Sequence, residues 1–169
     1  MQHSEAKGVL FKCVATDPGG VWEELRPYLE KHEVLSLFRI GFPTQVLDQI
    51  PAETILRWLE EDSNNRATAI ASMISVNLSS DETLAAKIIG NHGGNMDVAS
   101  VFYSAYISGG WVGSVSEHWS HLATELKVVA KRTSLPKLRS WAQNGVRSLE
   151  SMSERERQRE EEDKLRFGF

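Results

Sequence analysis

Ser114-Val115-Ser116-Glu117-His118-Trp119-Ser120-His121-Leu122-Ala123-Thr124-Glu125-Leu126-Lys127-Val128-Val129 is the stretch that decides the fold class. Val115, Trp119, Leu122, Leu126 and Val129 recur at steps of four, three, four and three, the period of one narrow helical seam. Ser114 stands three residues before Glu117, the spacing of a capping box. Its hydroxyl can accept from a free backbone N–H while the carboxylate reaches back to the cap.

Towards the C-terminus the same period continues. Thr133-Ser134-Leu135-Pro136 opens another helix, with proline in its tolerated first turn. Leu138, Trp141, Ala142, Gly145, Val146, Leu149 and Met152 define its buried side. The short turn predicts that the two helices are antiparallel neighbours, with Trp119 and Trp141 in one neighbourhood. Beyond Ser153 the apolar residues stop. Residues 154–166 carry six acids and five bases, so the block has no net field to grip nucleic acid. Its pairs Arg157–Glu161, Glu160–Lys164 and Glu162–Arg166 stand at four-residue steps, which predicts a helix that runs past the core into solvent and frays.

Towards the N-terminus the reading is again helical. Val98, Ala99, Val101, Phe102 and Ala105 form one helix. Ser79 and Glu82 form a second capping box, opening a helix with Leu84, Ala85, Ile88 and Ile89. Ala67, Ile70, Ala71 and Ile74 make a face beyond the polar turn Asp62-Ser63-Asn64-Asn65, and Ile55, Leu56 and Leu59 make the one before it. Val46, Leu47 and Ile50 belong to a short helix between Gly41-Phe42-Pro43 and Pro51. Val34, Leu35 and Phe38 precede it, and Val21, Trp22, Leu25 and Leu29 form the first long face. Before that, Val9-Leu10-Phe11-Lys12-Cys13-Val14 is too short for period to separate strand from helix turn, and Asp17-Pro18-Gly19-Gly20 predicts a break.

The expected organisation is an irregular segment over 1–20, a helical domain over 21–153 and a mixed-charge helical tail over 154–169. The fold class is all-α: about nine helices as stacked hairpins, HEAT-like or in an irregular bundle, with a long C-terminal helix. Glu53-Thr54-Ile55-Leu56 echoes Glu82-Thr83-Leu84-Ala85 at an offset of 29, the self-similarity of stacked helix pairs.

Composition narrows the function classes. A formal charge of −4 argues against a role dominated by phosphate contacts. With Cys13 as the single cysteine, no internal disulfide can form, and a reducing, cytoplasmic setting is expected. Cys13 itself reads as a small buried hydrophobe. No apolar run reaches membrane-spanning length, and the first residues lack a secretory-type stretch.

Few constellations suggest chemistry. His118 and His121 share a helix face at a spacing that metal ligands use, with Glu117 and Glu125 nearby, but they lack a third ligand, and two polar residues flanking the seam explain them as well. Gly90-Asn91-His92-Gly93-Gly94-Asn95 resembles an anion cradle without the lysine a P-loop needs, and a helix C-cap with a tight turn accounts for it. Arg39, Arg57 and Arg66 read as partners of acids such as Glu60, Glu61 and Asp62. Ser108-Gly109-Gly110-Trp111-Val112-Gly113-Ser114 is the most informative connector. A tryptophan between glycines either plugs a groove of its own fold or meets a partner, with Gly110 and Val112 beside it.

Phe38-Arg39-Ile40-Gly41-Phe42-Pro43, then Val46-Leu47-Asp48-Gln49-Ile50-Pro51, then Trp58, Asp62 and Arg66-Ala67, together with Trp141 through Glu162, resemble helical segments near the C-terminal ends of large, poorly characterised bacterial proteins. The broad style is similar to HEAT-like α-solenoids. The resemblance implies a scaffold or docking surface and brings no catalytic residue. The leading expectation is a non-catalytic protein-interaction module without cofactor, binding a protein partner or the remainder of a longer chain through Gly110, Trp111 and Val112. One alternative is a nucleic-acid-associated domain using Lys127, Lys131, Arg132, Lys137, Arg139 and Arg147. A third is a metal-dependent enzyme built on His118 and His121.

Overall fold

In the computed structural model, residues 2–31 and 44–168 are described, and every regular element among them is helical. The features expected at Val34, Leu35 and Phe38 and at Gly41-Phe42-Pro43 lie outside the described residues, as does the whole run 38–43 with Arg39. The chain begins with α1 (Gln2–Thr16) and α2 (Pro18–Glu30). The irregular segment expected over 1–20 is therefore a helix and the start of another. Asp17 is a cap rather than a breaker: its side chain accepts from the Gly20 N–H at 2.8 Å. Pro18 takes the first helical position, where a missing N–H costs nothing. Val14 is buried, but Cys13, expected inside, is exposed on α1.

A 3-10 helix (Thr44–Gln49) follows, and Val46, Leu47 and Ile50 are buried as their spacing predicts. α3 (Ala52–Glu61) and α4 (Ser63–Ala71) meet at Asp62. Trp22 and Trp58 pack edge to face, 5.3 Å between centroids. Trp58 Nε1–H donates to Glu30 at 3.0 Å, so the ring's polar edge is not stranded in the core. Arg66 stacks over Trp58, donates to its carbonyl at 2.7 Å and pairs with Glu61 at 2.6 Å. That is the arginine–acid pairing expected from the sequence.

α5 (Leu84–His92) starts four residues later than the capping box at Ser79 predicts. Thr83 is the cap, accepting from the Ala86 N–H at 3.3 Å. The Ser79 N–H is instead taken by Asn77 Oδ1 at 3.0 Å. Glu82 pairs with Lys87 at 2.9 Å, and Lys87 also lies 3.7 Å from Glu53. The echoed segments thus differ in register: Glu53 is inside α3, whereas Glu82 precedes the cap of α5. α6 (Met96–Ile107) is capped by Asn95, whose Oδ1 accepts from the Asp97 N–H at 2.8 Å.

α7 (Val115–Arg132) and α8 (Pro136–Phe167) form an antiparallel hairpin, the largest helix–helix contact among the described residues. α8 also packs on α5, and α4 packs on both α5 and α6. This is an all-α arrangement consistent with an irregular bundle, with eight α-helices among the described residues. Gly145 lets α8 approach closely, since a Cβ there would lie 2.5 Å from Leu126 Cδ1. Trp141 is buried with its ring edge-on to Tyr103 and Tyr106, and Nε1–H donates to the Ala99 carbonyl at 3.1 Å. Trp119 is not in that neighbourhood. Both tryptophans lie in the second turn of their own helix, and antiparallel pairing sends the two helix starts to opposite ends of the hairpin.

Candidate interaction surface

The connector between α6 and α7 folds back onto the first turns of α7. Trp111 stacks on the imidazole of His118, with centroids 4.6 Å apart and planes 10° from parallel. Trp119 adds a tilted ring 5.9 Å from Trp111. Gly113 adopts φ 110°, a backbone state that disfavours a side chain. The indole is held, yet Trp111 stays 46% exposed, and Val112 beside it is fully exposed. The ring therefore neither plugs the core nor swings free. Gly110, Trp111 and Val112 line a 440 Å³ groove together with Tyr106 of α6 and residues of α7 from Glu117 to Glu125.

α7 is fixed by a contact that no local spacing announces. Ser114 caps as expected, its Oγ accepting from the Glu117 N–H at 3.3 Å. Glu160, far along α8, brings its carboxylate to the same helix end. It accepts from Ser114 Oγ and Ser116 Oγ, each at 2.7 Å, and from the Ser116 N–H at 3.2 Å. An anion at a helix N-terminus is favourable because unpaired N–H groups point outward there. The Ser114 hydroxyl, then the Ser116 hydroxyl and amide, hold the Glu160 carboxyl below the ordinary glutamate range. Ser153 Oγ donates to the Ser116 carbonyl at 2.8 Å. The tail expected to leave the core at 154 is thus tied down as far as Glu160. Its ion pairs include Glu154–Arg157 and Glu156–Arg159, at steps of three.

The two candidate metal ligands have separate tasks. His118 supports Trp111, and its Nε2 is buried without a hydrogen-bond partner. His121 Nε2 lies 3.4 Å from Glu125 Oε1. Among the described residues no three His, Cys, Asp or Glu side chains are grouped to hold a metal ion. Tyr106 OH donates to Glu125 Oε2 at 2.9 Å. Burial, then that bond, push the phenol above its ordinary range.

The basic residues are spread along the hairpin, and most of them serve the fold. Lys127 pairs with Glu150 at 2.7 Å. Arg132 donates to the carbonyls of Ser79, at 2.6 Å, and Leu78. Lys137 donates to the Asn91 carbonyl and Arg139 to the Thr133 carbonyl, each at 2.6 Å. Arg147 donates to Asn144, and Lys131 is exposed. Asp81 accepts from the Ser134 N–H and hydroxyl, both at 2.8 Å, and the backbone bond leads in holding its carboxyl low. In the glycine run 90–95, Gly93 ends α5 with a right-handed φ of −65°, and its N–H donates to the Ile89 carbonyl at 2.7 Å. The helix end is as expected, but no left-handed residue makes it.

Among the described residues no helix is long and apolar enough to cross a membrane. No protein-family model, curated protein or solved structure matches the chain.

Proposed function

We propose that this chain is a non-catalytic helical protein-interaction module, part of a larger bacterial protein or complex, and that it docks through the connector at residues 108–114. One observation carries the reading. Trp111 is braced on His118 while much of its ring remains open to solvent. A rigid aromatic anchor of this kind loses little conformational freedom on contact and removes much apolar area from water. The scaffold role that HEAT-like stacks imply agrees with this use. The basic-surface alternative is weaker, because five of its six side chains already bond within the fold.

Trp111→Ala tests the reading. The expected result is a stability change below about 1 kcal/mol in chemical denaturation and a loss of about 2 kcal/mol or more in affinity for a partner captured with the wild type. A folded variant that binds as tightly as the wild type would remove the connector from the functional surface.

A further inference from the structure

The groove beside Trp111 has one sign of charge. Tyr106, Trp111, His118 and His121 supply its rings, Glu117 and Glu125 supply carboxylates, and neither Lys nor Arg lines it. His118 covers one face of the indole and Trp119 makes a tilted contact, while 46% of Trp111 stays exposed, so a flat ligand has only the other face to stack on. An anionic ligand has little to bind here. The Glu117 N–H is taken by Ser114 and the Ser116 N–H by Glu160, which adds a third carboxylate at this helix end. A π face beside carboxylates attracts a cation. A guanidinium suits it best, because it lies flat on an indole while its N–H groups reach carboxylate oxygens in the ring plane.

We propose that this groove docks a basic peptide segment of another protein, with an arginine side chain on the open face of Trp111 and its guanidinium directed to Glu117 and Glu125. This rests on the connector being the interaction surface and specifies what it takes. Glu125 Oε2 is engaged by Tyr106, which leaves Oε1 and the exposed Glu117 for the ligand. His121 Nε2 lies 3.4 Å from Oε1, so the ligand shares that oxygen with it. A second copy's tail is a poorer occupant, because its six acids outnumber its five bases.

The test uses the full chain at about pH 8 and three end-blocked hexapeptides that differ only in carrying two arginines, two citrullines or two glutamates. Calorimetry is expected to show the arginine peptide binding at least about tenfold tighter than the citrulline peptide, and the glutamate peptide weakest. Trp111→Ala and the double variant Glu117→Gln/Glu125→Gln each weaken the arginine peptide at least about tenfold while the melting temperature holds. Raising salt from about 50 to about 500 mM weakens it too. Equal binding of arginine and citrulline peptides, no binding of either, or variants without effect would overturn the assignment. Self-association lost in Trp111→Ala would overturn it as well, giving the groove to a second copy. If Trp111→Ala abolishes capture of a protein partner but no arginine preference exists, the docking role stands and only the charge assignment fails.

Discussion

The two ends of the α7–α8 hairpin use the same residue types to opposite effect. At the turn end, Trp141 is buried between Tyr103 and Tyr106, and Arg132, Lys137 and Arg139 spend their donors on backbone carbonyls. At the open end, Trp111 and Trp119 are only partly covered, and carboxylates rather than cations surround them. Packing accounts for the contrast. α5 packs on α8, and Tyr103 and Tyr106 of α6 close over Trp141, whereas the open end meets a glycine-bearing connector and one carboxylate from the far part of α8. A tryptophan buries its surface where neighbouring helices converge and offers it where they do not. Burial therefore marks the stabilising end, and bracing without burial marks the end that carries the proposed docking surface.

The strongest challenge to this contrast is a matched pair of truncations. Trp141→Ala is expected to cost about 3–5 kcal/mol, through lost burial and the cavity left behind. Trp119→Ala, at a half-covered site, is expected to cost about 1–2 kcal/mol. Urea denaturation of both variants decides, and equal losses would erase the difference between the ends.

A smaller effect locates where the tail stops being part of the fold. Removing residues 154–169 takes away Glu160 and should speed amide exchange over 114–117 and lower the melting temperature. Removing only 162–169 should change stability by less than about 0.5 kcal/mol, because exposed ion pairs contribute little. Identical behaviour of the two truncations would mean that the Glu160 contact holds nothing in place.

The smallest expected effect separates the ends by pH. His92 lies near the turn end, and burial, then the Lys137 ammonium, hold its imidazole below the ordinary range. The unfolded chain takes up that proton at higher pH than the folded one, so stability declines as pH falls from about 7 to about 5. His92→Gln should flatten this part of the stability profile. Asp81 and Glu160 are both held below the ordinary carboxylate range, so their contributions are present above that range and disappear as pH falls through their lowered values. Glu160→Gln should remove the open-end share of the acid loss and leave the Asp81 share intact.

Helical period was written locally, and for that reason it was legible. Leu122, Leu126 and Val129, then Leu138, Trp141, Ala142, Val146 and Leu149, are buried where their spacing places them, because a helix sorts its faces by sequence separation alone. The Ser114 cap was legible for the same reason. Asp17-Pro18 misled because the same residues signal a turn or a helix start, and only continuation of the helix through Gly19 and Gly20 decides between them. Ser79 misled because Asn77 competes for the amide a cap would need. The proposed interaction surface was half legible. The connector singled out Trp111, but the brace from His118, the acidic groove and the Glu160 contact join residues up to 46 positions apart. The sequence determined which residues form helices and which faces those helices bury, since both follow from neighbours three and four residues apart. Only the tertiary structure decided which tryptophan stays open and which charges line the groove beside it, because those outcomes depend on which helix ends meet.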